Sequence, residues 1–285
     1  MTTILSGKPV AEEIKKRAAG ITEKLKDRGI TPALAILRVG ERKDDIAYEN
    51  AVSKRCEGIG VCVKKIFMPA DVSETEFFDR LNDICNDDKV HGILMFQPLP
   101  SHIDSEKARR MIPPGKDVDG ATGESLTGVF TGTDVGFAPC TAQAAMEILK
   151  YYNIDIKGKN AVVIGRSLVV GRPVACMLLQ EDATVTVCHS KTPDVAAVSM
   201  QADIIIAASG QMESINESFL SNDRQQTIID VGIAWNEEKN KLCGDVDFEA
   251  VENKVHALTP VPGGVGTVTN TVLLLHVAEA AEKMR

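Results

Sequence analysis

No stretch of this 285-residue sequence approaches the roughly 18 uncharged apolar residues that a membrane-crossing helix needs, so no membrane partner is expected. The opening, MTTILSGKPVAEEIKK, lacks a basic region followed by an apolar one, so no secretory signal is expected either. Basic residues are in deficit: 32 Lys and Arg against 40 Asp and Glu leave a formal net charge of −8. A nucleic-acid binder needs a basic face to neutralise phosphates, which excludes that class of partner from the expectation. The seven cysteines (Cys56, Cys62, Cys85, Cys140, Cys176, Cys188, Cys243) are odd in number and never form a CxxC pair. That pattern fits reduced thiols and a cytoplasmic setting, most of them serving as small core hydrophobes. The five histidines show no ligand spacing, so no metal site is expected. Low-complexity linkers and short-period repeats are missing as well.

What is present is an ordinary globular balance, 44% apolar and 25% charged, on a length that suits two domains or one large α/β unit. Helical and strand patterns alternate throughout, the signature of βαβ units around a largely parallel sheet. Val10 to Lys26 reads as an amphipathic helix and Ala33 to Val39 as a buried strand closed by Gly40. A helix from about Asp45 to Gly58 and the strand Val61 to Phe67 follow. Next come a helix over Glu74 to Asn86 and the strand Gly92 to Phe96, ending in Gln97-Pro98-Leu99-Pro100. The polar, glycine-rich stretch from Pro113 to Gly136 has weak periodicity and reads as a long loop of the functional or mobile kind.

A helix from about Thr141 to Tyr152 leads into a second domain. Its strands are Asn160 to Ile164, Thr184 to Cys188, Asp203 to Ala208 and Thr227 to Val231. A last helix, roughly Val268 to Lys283, is expected to pack back across both domains. The expected boundaries are 1–140 for the first domain, with 268–285 returning to it, and 141–267 for the second. Ligands of such sheets gather at the carboxyl ends of strands, so a cleft between the halves is the default site.

After Ile164 comes Gly165-Arg166-Ser167-Leu168-Val169-Val170-Gly171-Arg172-Pro173 and then a helix. This departs from GxGxxG, with Ser167 at the second glycine and the last glycine one residue late. The physical work is still possible: Gly165 turns the chain sharply, small Ser167 lets backbone N–H groups approach a pyrophosphate, and the helix N-terminus adds partial positive charge. An ordinary tight βα turn would satisfy the same pattern. The next strand ends in Cys188-His189-Ser190-Lys191-Thr192, with no Asp or Glu to hold a ribose 2′-hydroxyl. Hydroxyls and bases there, with Arg166 nearby, suit a 2′-phosphate and favour NADP, with NAD possible; a merely solvated polar loop is the plainer alternative.

Several segments together resemble the methylenetetrahydrofolate dehydrogenase/methenyltetrahydrofolate cyclohydrolase family. They are Lys116-Asp117-Val118-Asp119-Gly120, Pro139-Cys140-Thr141, Val163 to Ser167 with Val170-Gly171, and Cys188 to Thr192. Ile229 to Ile233, Gly244 to Asp247 and Thr259 to Gly266 continue the series in the family's order and spacing. The resemblance implies an N-terminal α/β domain, a C-terminal Rossmann-like dinucleotide-binding domain and a homodimer, with tetrahydrofolate one-carbon derivatives as substrates. It implies that Tyr48 packs on the folate ring and Asp119 hydrogen-bonds the pterin, both as catalytic and substrate-binding residues. Gly165, Arg166, Ser167, Ser190 and Ile233 resemble the dinucleotide contacts. Pro262, Gly263 and Gly264 lie in what resembles the loop closing over nicotinamide and folate.

Two positions depart from the family pattern. Its Tyr-x-x-x-Lys places the lysine at Val52, and its cleft glutamine falls on Phe96, with Gln97 one step later. Tyr48 and Val52 share a helix face, whereas Lys54 is about 240° around the helix from Tyr48 at 100° per residue. Gln97, adjacent to Phe96 on a strand end, should face the other way. Hydride transfer mainly requires holding the reacting carbon near the nicotinamide. Opening the methenyl ring needs an activated water, and losing positioned acid/base groups costs about 10²–10⁴-fold. The expectation is therefore an NADP-dependent methylenetetrahydrofolate dehydrogenase with weak or absent cyclohydrolase activity. A fully bifunctional enzyme, with water and Gln97 covering the loss, is the alternative. A non-catalytic folate or dinucleotide sensor and an unrelated shikimate-like dehydrogenase are the others; for the latter, Lys43-Asp44 and Lys116-Asp117 make no convincing catalytic pair.

Overall fold

The computed structural model describes residues 2–222 and 225–284. In chain order its elements are β1 (Thr3–Ile4), α1 (Gly7–Asp27), β2 (Ala33–Val39), α2 (Lys43–Glu57), β3 (Cys62–Met68), α3 (Glu74–Asn86) and β4 (Gly92–Met95). Then come α4 (Ser105–Met111), α5 (Gly123–Thr131), α6 (Cys140–Tyr151), β5 (Asn160–Ile164), α7 (Gly171–Gln180) and β6 (Thr184–Cys188). The chain continues through α8 (Val195–Ser199), β7 (Ile204–Ala207), β8 (Thr227–Asp230), β9 (Ala234–Asn236), β10 (Lys241–Cys243), α9 (Phe248–Val251), β11 (Ala257–Leu258) and α10 (Val265–Lys283). Two compact units result: an amino-terminal one from Glu13–Cys140 with the stretch from Asn270 onward, and a carboxy-terminal one from Thr141–Thr269 with the stretch up to Glu12.

The amino-terminal unit is built on a parallel three-stranded sheet in the order β3-β2-β4. Its middle strand, Ala-Leu-Ala-Ile-Leu-Arg-Val, is a nearly continuous apolar run because helices cover both faces of such a sheet. On α3, Phe77, Phe78, Leu81, Ile84 and Cys85 recur at helical spacing and form its buried face, and Ser73 caps its start by accepting the Glu76 amide at 3.2 Å. The stretch from Pro113 to Gly136, expected as a loop, contains the nine-residue helix α5. Two glycines dilute its periodicity, but its ends carry clear signals: Thr122 caps the first turn, and Gly132 at φ 68° stops the last. The buried Asp117 carboxylate anchors that cap by accepting the amides of Ala121 and Thr122 and the Ser125 hydroxyl, at 3.0, 2.8 and 2.6 Å.

In the carboxy-terminal unit six parallel strands run in the order β1-β11-β8-β7-β5-β6. The chain is thus α/β, with a Rossmann-like second unit. Strands β7 and β8 are buried throughout and β5 along all but its first residue, as expected for strands covered on both faces. Strand β1, from the stretch that the sequence reading grouped with the first domain, pairs with β11 in this sheet. Each unit has its own apolar core, around Phe77 and Leu81 in one and around Ile205 and Ile228 in the other. Among the described residues no helix is long and apolar enough to cross a membrane.

Candidate active site

In the amino-terminal unit, α2 presents Tyr48 and Val52 from one face. The helix is pinned by its buried Glu49, which takes Arg38 of β2 at 2.9 Å and Lys65 of β3 at 3.2 Å. Removing one partner of such a buried pair would strand the other charge, at a cost of about 3–5 kcal/mol. The Tyr48 ring lies 5.5 Å from that of Phe96, tilted by 39°, and Phe96 is fixed just beyond β4 by its N–H, which donates to the Leu37 carbonyl at 2.9 Å. Burial pushes the Tyr48 hydroxyl well above its ordinary pKa, and the nearby Asp119 and Cys140 push it further. Tyr48 therefore stays neutral and half-exposed, a ring and a hydroxyl donor on offer.

Asp119 follows the Asp117 anchor. Burial raises its carboxyl to about 6, Asp117 adds to the rise, and a bond from the Cys140 thiol opposes it. Cys140 opens α6, with its sulfur 3.3 Å from the Val118 carbonyl and 3.7 Å from Nδ1 of His276 on α10. The same His276 nitrogen sits 2.8 Å from that carbonyl, and burial lowers the imidazole to about 4, so it is neutral and Nδ1–H donates. Two side chains thereby grip the peptide group that leads into Asp119. The arrangement offers an aromatic face, a phenol and a carboxyl that changes charge near neutral pH.

The two departures noted in the sequence are dry. Val52 is 1% exposed and Phe96 8%. Lys54 is exposed to solvent, as its helical angle requires. Gln97 is also exposed, and its side-chain oxygen accepts the Leu99 amide of its own turn at 3.3 Å.

In the carboxy-terminal unit a cavity of about 380 Å³ lies beyond the carboxyl ends of β5, β6 and β7. It brings together Gly165, Arg166, Ser167 and Ser190, with His189 beside them. Gly165 has φ +133°, and a Cβ there would come 2.0 Å from the Ala208 carbonyl oxygen, so the turn accepts only glycine. Gly171 passes as close to Gly165. The Ser167 hydroxyl accepts the amides of Val170 and Gly171 at 3.1 and 3.4 Å, which sets the start of the ten-residue α7 over the turn. Among the described residues no acidic side chain lines the cavity, while Arg166 and His189 do. A glycine cradle at a helix N-terminus, with a cation beside it, fits a dinucleotide pyrophosphate and an additional phosphate.

Ile233, just past β8, is 61% exposed and does not line this cavity. Neither do Pro262, Gly263 and Gly264, which follow β11; Gly263 accepts the Gly7 amide at 2.7 Å, tying that loop to the start of α1. Ser209 and Gln211, which also line the cavity, and His276, which bonds the carbonyl leading into Asp119, are not among the residues expected from the sequence. The small-residue run Ala207-Ala208-Ser209-Gly210 at a strand end was the available signal for the first two. His276 lies 136 residues from its partner Cys140 and had none. Among the described residues no three His, Cys, Asp or Glu side chains cluster as metal ligands would.

Comparison with known proteins covers nearly the whole chain. Residues 5–119 match the model for the catalytic domain of tetrahydrofolate dehydrogenase/cyclohydrolase, and residues 139–285 match its NAD(P)-binding domain. The bifunctional protein FolD of Carboxydothermus hydrogenoformans is 48% identical over 285 residues, 99% of this chain and 98% of that protein. The crystal structure of the bifunctional FolD methylenetetrahydrofolate dehydrogenase/cyclohydrolase from Campylobacter jejuni superposes with a TM-score of 0.94 at 38% identity, covering 99% of both chains. The Trypanosoma brucei methylenetetrahydrofolate dehydrogenase-cyclohydrolase, solved with NADP and an inhibitor, gives 0.89 at 32% identity over 99% of this chain and 98% of that one.

Proposed function

Because the chain belongs to the tetrahydrofolate dehydrogenase/cyclohydrolase family, we propose that it oxidises 5,10-methylenetetrahydrofolate with NADP and then opens the methenyl product with water. The relatives' names carry the second half of this reading, since those compared are bifunctional. The expectation of a weak or absent cyclohydrolase finds no support in them. The observation that carries the first half is the cavity with its Gly165 turn and Arg166, lined by no acidic side chain among the described residues.

NADP bound there supplies the hydride acceptor. The chain's own groups then have limited work in the first step, because the folate nitrogens provide the electrons. Tyr48 offers its ring to the folate, and Asp119 anchors the pterin. Gly165 to Ser167 and the α7 N-terminus take the pyrophosphate, and Arg166 and Ser190 take the 2′-phosphate. Ile233 and the Pro262–Gly264 loop orient the nicotinamide end. For the hydrolytic step, Asp119 is a carboxyl beside Tyr48 that burial raises to about 6, so it is our choice to accept the proton of the attacking water. A homodimer is part of this reading. The edge strand β6 supports it, since Val187 and, on the adjacent α7, Leu179 are exposed there at 38% and 63%.

A second reading keeps the dehydrogenase and weakens the hydrolysis. It is favoured by Val52 and Phe96, which put buried apolar side chains beside Tyr48 where the family pattern has polar ones. One preparation given methylenetetrahydrofolate and NADP separates the two when NADPH and methenyl product are followed together. Bifunctionality predicts NADPH formation with transient methenyl product. Stoichiometric methenyl accumulation, decaying only at the buffer rate, selects the second reading, and absence of NADPH formation refutes both.

A further inference from the structure

Two carboxylates in the carboxy-terminal unit are buried without an ion pair among the described residues: Asp230 at the end of β8 and Asp245 just past β10, 3% and 2% exposed. Neither lines the cavity, yet backbone groups are wrapped around both. One Asp230 oxygen accepts the amides of Gly232 and Asp245, at 2.9 and 3.0 Å, and the other accepts the Val246 amide at 3.0 Å. Asp245 in turn accepts the Ser209 hydroxyl at 3.0 Å and the Gly210 amide at 2.9 Å. The Asp230 amide donates to the Thr259 hydroxyl at 2.7 Å, at the root of the Pro262–Gly264 loop. The packing leaves no slack: a Cβ on Gly244 would come 2.0 Å from Asp230, and one on Gly232 would come 2.2 Å from Asp245.

These bonds tie together the segments that follow β7, β8, β10 and β11, all at the end of the sheet where the cavity opens. Ser209 lines the cavity directly, and Ile215, another lining residue, bonds its amide to the Asp245 carbonyl at 3.0 Å. We propose that Asp230 is a positioning residue for the dinucleotide: its carboxylate holds the Gly232–Ile233 turn and the Asp245–Val246 stretch in place, and protonation of that carboxylate loosens them and weakens NADP binding. This rests on the reading that the cavity takes NADP.

Protonation turns one acceptor site into an O–H donor and removes the negative charge, so the amide bonds to the carboxyl, which are charge-assisted in the ionised form, are weakened. Burial pushes Asp230 up to about 7, the charge of Asp245 adds to the rise, and the three amides oppose it. Among the described residues Asp245 is the one other charged side chain in this cluster, and its backbone amide is bonded to Asp230. The segment after β7 contributes Ser209 and Gly210, and β11 contributes Thr259, none of which titrates.

The test uses the full chain. NADPH binding is followed by quenching of Trp235, the single tryptophan, from pH 5.5 to 8.5 in the parent and in Asp230→Asn. The parent is expected to bind about three- to tenfold more weakly below pH 6 than at pH 8, the worth of one hydrogen bond. Asp230→Asn should show the weaker affinity at every pH, with KM for methylenetetrahydrofolate unchanged. The two proteins differ only at position 230, so the difference between the profiles isolates Asp230. Identical profiles, or equal loss toward both substrates at all pH, would overturn the proposal. If the variant does not fold, the amide resonances of Gly232, Asp245 and Val246 in the parent decide. They should share one titration near pH 7, and static amides from pH 6 to 8 overturn the proposal. A parent that binds no NADPH at any pH instead refutes the assignment of the cavity, whatever those amides do.

Discussion

Asp119→Asn removes a charge that the folded protein buries at a cost, and its consequences run in opposite directions for stability and for function. The carboxyl is raised from 3.8 to about 6, chiefly by burial. That is roughly a hundredfold tighter hold on the proton in the folded chain, or about 3 kcal/mol. The folded state binds the proton better than the unfolded one, so stability falls as pH rises from about 4 to 6, and the full penalty is present above that window. Asp119 keeps some contact with solvent, which reduces the expected penalty to about 1–2 kcal/mol. Asparagine carries no charge to desolvate and its oxygen can still accept the Cys140 thiol. Urea denaturation at pH 5 and pH 8 should therefore find Asp119→Asn more stable than the parent by about 1–2 kcal/mol at pH 8, with a smaller gain at pH 5. The same variant should lose roughly ten- to a hundredfold in KM for the folate, the worth of a hydrogen bond to a charged group. A variant that is less stable than the parent at pH 8, or equally shifted at both pH values, would refute the reasoning, because the carboxylate would then be a compensated structural anchor.

Two further substitutions probe the departures and the cofactor. Val52→Lys, alone and with Phe96→Gln, should speed methenyltetrahydrofolate hydrolysis above the parent's rate, with the double variant gaining more than the sum, since groups acting as a unit are non-additive; an unchanged rate in a well-folded double variant, judged by circular dichroism, would show that these positions do not limit the step. Ser190→Asp places a carboxylate at the cavity wall beside Arg166 and should lower kcat/KM for NADP by about tenfold or more while sparing NAD, and equal losses with both cofactors would count against a 2′-phosphate contact.

How much of this was legible in the sequence depended on how local the cause was. Strands β2 and β5 were read with their observed bounds, because each is an apolar run with a turn residue at its end. The two-residue strands β1 and β11 have no periodicity to read and exist only because they pair with each other and with β8. Helix α5 was missed because its caps, Thr122 and Gly132, signal more strongly than its glycine-diluted interior. At the site, Gly165, Arg166, Ser167 and Ser190 were read from two strand ends and meet at one cavity. The Asp230–Asp245 cluster and the Cys140–His276 contact were not. Their chemistry is made by residues 15 and 136 positions apart, and only the folded chain brings them together.

The reaction proposed for this chain is the movement of a hydride from a folate methylene group to NADP. Initial rates of nicotinamide reduction with 5,10-methylenetetrahydrofolate, measured with NADP and with NAD on the same preparation, test it most directly. Reduction is expected with a kcat/KM for NADP at least about tenfold above that for NAD, a difference of about 1.4 kcal/mol. A tenfold preference for NAD would contradict the role given to Arg166 and Ser190, and no reduction with either would contradict the claim itself.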